Sequence, residues 1–165
     1  MIITSSISVE SGITETLSFG TASLPVQSNL NTSYSFGSGT TTGCTDLHWE
    51  KKAVQLAAGN SVTYTLSALT DDLSRAVAMA KVRELLLVVT TRTSGDTLLV
   101  GEASTNPWLA IVDGTTPGIK VADLLHLVSS ADGYAVGAGT SDQLKITNSG
   151  SHTIVFTLRL NGTSA

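Results

Sequence analysis

Residues 143–160, QLKITNSGSHTIVFTLRL, carry the pattern that decides the fold class. Apolar residues recur at every second position on both sides of its centre, at Leu144, Ile146, Ile154, Phe156, Leu158 and Leu160. This period of two predicts β-strands that each bury one face. The tripeptide NSG at 148–150 is typical of a tight turn, and it predicts a hairpin between the two strands.

The same alternation recurs from residue 47 to residue 162 and predicts about eight short strands separated by turns. Residues 82–91 are apolar on both faces at 85–89, which predicts a central strand with Leu86 and Val88 buried on one face. Residues 75–81 are compatible with one helical turn, and residues 109–112 with a short strand. Because no stretch has the period of a long helix, we expect an all-β protein with an antiparallel β-sandwich or jelly-roll body at 47–165.

Residues 1–46 differ from this body. Two alternating stretches flank a turn signal at Ser11 and Gly12, and residues 20–46 are rich in Ser, Thr, Gly and Asn. This pattern predicts an N-terminal hairpin followed by an extended arm. An isolated hairpin is only marginally stable in water, so we expect it to contact another chain. The residues expected to lie in that interface are Ile3, Ile7, Val9, Leu17 and Phe19.

Charged residues make up 13% of the chain, which is about half the usual fraction for a soluble domain. A surface with so few charges favours association, and we expect a homo-oligomer, most simply a trimer. The net charge is −4, and Lys51-Lys52 is the only adjacent basic pair, which argues against direct nucleic-acid binding. The apolar run at 85–89 is too short to cross a membrane. No signal peptide is recognised at the N-terminus, which predicts synthesis in a cytoplasm, where the protein stays or from which it leaves inside a particle.

No pattern of catalytic or metal-binding residues stands out. His48, His126 and His152 lack the spacing of metal ligands, and no Gly-x-Ser-x-Gly motif marks a nucleophile. We therefore expect no enzyme activity, no catalytic residue, no metal and no cofactor. Trp49 and Trp108 are expected to be core residues or anchors of a subunit interface rather than a platform for sugar stacking.

Several motifs in the body resemble those of a group of small virion structural proteins of tailed bacteriophages. They are MAKVRELLL at 79–87, LVGEA at 99–103, NPW at 106–108 and DGYAVGAGTSDQLKITNSG at 132–150. The resemblance spans residues 47 to 162 and does not include the arm. The chain departs from the group's pattern at Glu102, Gly137 and Ser141, where the group tends to have Gly, Thr and Gly.

The resemblance implies a non-enzymatic virion component, with a jelly-roll capsid cement or decoration protein as the specific expectation. Such a protein would stabilise the head through contacts between subunits, and its partners would be further copies of itself and the major capsid protein or other virion proteins. A tail or fibre component is the first alternative. A carbohydrate-binding β-sandwich module, with Trp49, Trp108 or Tyr134 stacking on sugars, is the second.

Overall fold

The structure is a computed structural model, and it describes residues 5–19, 22–101, 103–112 and 118–165, with side chains described from Thr32 onward. Within these ranges the chain forms β-strands and two single-turn 3₁₀ helices, at Leu66–Ala68 and Leu109–Ile111. The strands are β1 (Ser5–Phe19), β2 (Ala22–Ser38), β3 (Cys44–Thr45), β4 (Leu47–Leu56), β5 (Ser61–Thr65), β6 (Leu69–Thr70), β7 (Ala76–Val77), β8 (Lys81–Thr91), β9 (Leu98–Val100), β10 (Ile119–Val121), β11 (Leu124–Val128), β12 (Tyr134–Ala135), β13 (Gln143–Asn148) and β14 (Ile154–Thr163).

Two antiparallel sheets form the body. The first has the order β11-β8-β14-β4, with β12 also paired to β8, and the second has the order β10-β9-β13-β5. The chain passes from one sheet to the other repeatedly, for example between β4 and β5 and again between β8 and β9. This arrangement confirms the predicted all-β antiparallel sandwich, while the finer jelly-roll description stays a prediction.

The core lies between the two sheets. Its fully buried residues come from alternate positions of strands in both sheets, namely Leu85, Leu87, Leu98, Val100, Ile146, Ile154, Phe156, Leu158 and Leu160. Phe156 and Leu158 therefore point inward as the alternation of the last strand predicts. No helix among the described residues is long and apolar enough to cross a membrane.

The predicted burial of Leu86 and Val88 is wrong by one residue. Leu85 and Leu87 are 0% exposed, whereas Leu86 and Val88 are half-buried on the opposite face of β8. Because successive side chains of a strand point to opposite faces, a run that is apolar at every position does not show which set faces the core. The pairing of β8 with β14 shows which set of residues faces the core, since Leu87 lies opposite Leu158 and Leu85 lies opposite Leu160.

The NSG turn does not form the predicted hairpin. β13 pairs with β5 and β9 in the second sheet, while β14 pairs with β4 and β8 in the first, so this turn carries the chain across the sandwich. Asn148 explains the crossing. Its buried side-chain amide donates to the carbonyls of Leu56 and His152, at 2.8 and 2.7 Å, and its oxygen accepts from the Gly150 amide.

Three further expectations about local structure are wrong. Residues 75–81 contain no helical turn, because Ala76–Val77 pair with Leu69–Thr70 as a short hairpin whose Val77 is buried in the core. Leu109–Ile111 is a 3₁₀ turn instead of a strand. Ser11 and Gly12 lie inside β1, which runs unbroken to Phe19 and pairs with β2 along its whole length. The hairpin is therefore much longer than the sequence predicts, and it includes part of the expected arm.

Candidate assembly interface

The β1–β2 hairpin places most of its apolar residues on one side of the ladder, although Ser5, Ser11, Glu15, Ser28 and Thr32 share that side. Residues directly opposite each other in an antiparallel ladder share a face, as do alternate residues of one strand. One face, called here the apolar hairpin face, contains Ile7, Val9, Ile13, Leu17, Phe19, Ala22, Leu24, Val26, Leu30, Tyr34 and Phe36. The other face contains mainly Ser, Thr, Asn and Gln, in pairs such as Ser8 with Ser33 and Thr14 with Gln27.

The side chains at the base of the hairpin follow the same division. Phe36 is 3% exposed and Tyr34 is half-buried, while Ser33 and Ser35 on the other face are exposed. The apolar face is thus covered where the hairpin meets the body. Among the described strands, β1 pairs with β2 alone, and β2 pairs otherwise only with β3 through Gly37 and Ser38.

The root of the hairpin is bound tightly to the body. The Gly37 amide donates to the Gly43 carbonyl at 3.0 Å, and a side chain at position 37 would press on the Cys44 sulfur. The buried Thr45 hydroxyl donates to the Gly162 carbonyl at 2.6 Å. Arg83, only 1% exposed, donates to the carbonyls of Thr41 and Ala131. These contacts fix where the hairpin leaves the sandwich, and the division into an arm at 1–46 and a body at 47–165 stays a prediction.

The residues predicted for an interface fall into two groups. Ile7, Val9, Leu17 and Phe19 share the apolar hairpin face, together with Ile13, and Ile3 lies outside the described residues. Trp49 and Trp108 do not join them, because each is 2% exposed within the single chain.

Both tryptophans are used inside the body. The Trp49 indole donates to the Thr70 carbonyl at 3.0 Å and packs edge-on against Tyr64. The Trp108 indole donates to the Ala135 carbonyl at 2.7 Å and packs edge-on against Tyr134. The interface role predicted for these two residues does not fit this burial, and neither ring offers an open face for a sugar.

The outward face of the first sheet carries an unusual mixture of residues. Leu124 lies opposite Val88 and His126 opposite Leu86, and Leu124 is 60% exposed. We call this region the outer sheet face and define it by Glu84, Leu86, Val88, Leu124, His126, Val128 and Arg159. Its apolar members run along β8 and β11 as a strip two strands wide.

A buried carboxylate lies beside this strip. Glu84 is fully buried, and it accepts hydrogen bonds from Arg159 Nη2 at 3.0 Å, from His126 Nε2 at 3.1 Å and from the Asn161 amide. The Asn161 oxygen in turn contacts His48 Nδ1 at 2.7 Å. Three donors satisfy a buried carboxylate, so the network fixes four strands of the outer face relative to one another. Sequence reasoning missed it, although an acid within an apolar strand was a visible signal.

Ser151, His152 and Asp96 also come together but do not form a catalytic triad. His152 Nδ1 lies 3.0 Å from Asp96 Oδ2 and 3.1 Å from the Ser151 hydroxyl, so one ring nitrogen faces both partners. A triad needs the serine and the carboxylate on opposite ring nitrogens. The Ser151 backbone amide and His152 hold the pKa of Asp96 below its usual value. This group fastens the turn that connects β13 to β14.

A shallow groove of about 270 Å³ lies beside edge strand β4 and is bordered by ion pairs. Arg75 Nε lies 2.7 Å from Asp71, and the Arg75 backbone amide is the main cause that lowers the pKa of Asp71. Asp71 is thus a turn-capping residue. The described side chains include no group of three His, Cys, Asp or Glu residues that could hold a metal ion.

Comparisons of the chain with protein-family models, with curated proteins and with solved structures found no match. The candidate interface is therefore argued from the chain's own geometry.

Proposed function

We propose that this chain is a non-enzymatic structural protein of a tailed-phage virion, and specifically a capsid decoration or cement protein. In this proposal the sandwich is a rigid body, and the β1–β2 hairpin is the element that joins it to other subunits. Contacts between subunits made by such hairpins would stabilise the head.

The observation that carries the proposal is the uneven distribution of residues in the hairpin, where the apolar residues of β1 lie on one face and the opposite face is polar. A two-stranded ribbon with an apolar face cannot bury that face by itself, because a sheet needs a second layer to cover it. A separate chain supplies that layer most simply. Assembly proteins use such segments because they order only in contact with a partner.

The motifs that resemble phage virion proteins support the same proposal. Residues 79–87 enter the central strand β8, and residues 99–101 close β9. Residues 132–150 include β12 and β13, and Trp108 packs against Tyr134 within them. The similar residues thus belong to the framework of the sandwich, and the hairpin is the part in which this chain differs.

Co-sedimentation with virion parts tests the proposal. Purified protein is mixed with heads and, separately, with tails from phage particles that lack it. We expect the wild-type protein and the Thr14→Asp variant to sediment with heads, because Thr14 lies on the polar face. Ile13→Asp places a charge on the apolar face and should abolish binding.

Binding to tails alone would replace the decoration role with the tail or fibre role. The absence of wild-type binding to both parts would contradict the virion proposal. Equal binding of the Ile13→Asp and Thr14→Asp variants would show that the surface of the body, and not the hairpin, makes the attachment.

A further inference from the structure

The two strands of the hairpin differ at their outer edges. Among the described strands, β1 pairs with β2 alone, so its other edge has no strand partner over 15 residues. The outer edge of β2 is used in part, because Gly37 and Ser38 pair with β3. The ladder between β1 and β2 has no register shift from Ser5 to Phe19, so no bulge bends the free edge of β1 away from a partner.

Pro25 indicates which backbone groups face the outer edges. It lies opposite Thr16 in the ladder, and a proline has no amide hydrogen to donate to its partner strand. The backbone groups of this pair therefore point away from the other strand. Because such pairs alternate with hydrogen-bonded pairs, the even-numbered residues of β1, from Ser6 to Ser18, present their amides and carbonyls at its free edge. Pro25 interrupts the corresponding row on β2, whereas β1 contains no proline.

The free edge of β1 also lacks the features that usually keep sheet edges apart. Natural edge strands carry prolines, bulges or lysines, or they are very short. β1 has none of these features, and its charged residues are Glu10 and Glu15. Edge strand β4 of the body differs, because it contains Lys51 and Lys52 and its register with β14 shifts beside them. Of these two long edge strands, β1 is the one suited to strand addition.

Gly12 lies inside β1, where a glycine weakens a strand and commonly marks a bulge or the close approach of another backbone. The unbroken register with β2 excludes a bulge at this position. Gly12 is also the central residue of β1, at equal distances from Ser5 and Phe19. A twofold axis at Gly12 would therefore pair β1 with the β1 of a second copy over all 15 residues.

The backbone and the charges restrict the register of such a pairing. Residues with outward backbone groups must lie opposite each other, so even-numbered residues face even-numbered ones. An axis at Gly12 meets this condition and places Glu10 opposite Thr14 and Glu15 opposite Val9. An axis at Glu10 or at Glu15 would place two glutamates directly opposite each other, which is unfavourable, and would also shorten the ladder.

We propose, resting on the assembly role proposed above, that two copies of this chain join antiparallel along the free edges of β1, with a twofold axis at Gly12. The product is a continuous sheet of order β2-β1-β1-β2, held by about 14 backbone hydrogen bonds from the even-numbered residues of β1. Ile7 of one copy lies opposite Leu17 of the other, so the apolar hairpin faces of both copies share one side of the sheet. The contact closes with two copies, and a trimer would need a further contact.

Cysteine cross-linking tests the pairing and its register in the full-length protein. All variants carry Cys44→Ser, which removes the one native cysteine. Ser8→Cys and Thr16→Cys lie opposite each other in the proposed register and leave Gly12 in place. Either variant alone should stay unlinked, because identical positions of the two copies lie about 27 Å apart along the strands. An equimolar mixture, allowed to exchange subunits before oxidation, should give a disulfide-linked dimer. Leu73→Cys changes a body residue that is 74% exposed, and it measures linkage by chance collision.

Proline substitutions show which edge of the hairpin is used. Thr14 and Gln27 lie opposite each other, and the amides of both point away from the partner strand. Thr14→Pro should reduce the mass in solution from twice 17.0 kDa to one copy, while Gln27→Pro should keep the wild-type mass. Light scattering measures the masses, and thermal melts check that the body of each variant folds.

A monomeric wild-type protein would overturn the proposal, and so would a cysteine mixture that links no better than the Leu73→Cys control. A dimer that survives Thr14→Pro but not Gln27→Pro would assign the contact to β2 instead. These measurements use no heads or tails. A failure of the pairing therefore leaves the test of head binding unaffected, and a failure to bind heads leaves the pairing unaffected.

Discussion

The hairpin and the sandwich both alternate apolar and polar residues, but they differ in what covers the apolar residues. In the sandwich, alternate residues such as Leu85 and Leu87 of β8 are fully buried against the opposite sheet of the same chain. In the hairpin, Ser11 and Glu15 interrupt the alternation, and β1 has β2 as its only strand partner among the described residues. The first region buries its apolar residues within one copy, and for the second we propose a cover from another chain.

This difference teaches that an amphipathic pattern predicts burial without naming the partner. A strand that is apolar on one face requires a cover, and the cover can belong to the same chain or to another one. For the β1–β2 hairpin we propose that another chain supplies this cover.

The largest expected effect is a difference in the free energy of unfolding between substitutions on the two faces of β8. Leu87→Ala removes a fully buried side chain and should lower the free energy of unfolding by about 2–5 kcal/mol. Leu86→Ala, one residue away on the outer face, should lower it by about 1 kcal/mol, because that side chain is only half-buried in one copy. Chemical denaturation at low protein concentration measures both values. Equal losses would show that the outer sheet face is already covered within the single chain.

A smaller effect on the melting temperature is expected at low pH, and it comes from a residue of the sandwich. The pKa of Asp96 is lowered in the folded protein by the Ser151 amide and by His152. Its charged form therefore stabilises the fold above its unfolded pKa of about 3.9, and this contribution is lost as the pH falls through the lower folded value. We expect the melting temperature of the wild-type protein to fall more steeply below about pH 4 than that of Asp96→Asn.

A charge-removing change in the hairpin provides the control for this pH effect. Glu10→Gln lies on the polar face of β1 and should leave the slope of the acid profile at its wild-type value, since the hairpin contributes little to the unfolding of the body. Parallel acid profiles for the wild-type protein and Asp96→Asn would contradict the role assigned to Asp96.

The sequence predicts the sandwich because the period of two survives in almost every strand, but it does not predict how the strands connect. The NSG turn looks like a hairpin turn, but the buried side chain of Asn148 binds the carbonyls of Leu56 and His152 where the chain crosses to the other sheet. Likewise, the run at 85–89 is apolar at every position, so its inward face depends on pairing with β14. These features are set by contacts distant in sequence.

The sequence predicts only part of the candidate interface, because the rest also depends on contacts between residues distant in sequence. Ile7, Val9, Leu17 and Phe19 are recognisable from alternation, but the turn signal at Ser11 and Gly12 hides the fact that they share one strand. The outer sheet face has no local signature, because Leu124, Glu84 and Arg159 come from three strands. Trp49 and Trp108 show the converse, since large aromatic residues suit a core and an interface equally well until burial is known.

Hydrogen exchange of the backbone amides tests the central claim most directly, because it reports the hairpin and the sandwich in one measurement. In the assembled wild-type protein, amides of β1 and β2 should be protected, as those of β8 and β14 are. In the Ile13→Asp variant, which places a charge on the apolar hairpin face, protection should disappear from β1 and β2 and remain in β8 and β14. Strong protection of β1 and β2 in a monomeric variant would contradict the account, because the hairpin would then be stable without a second copy.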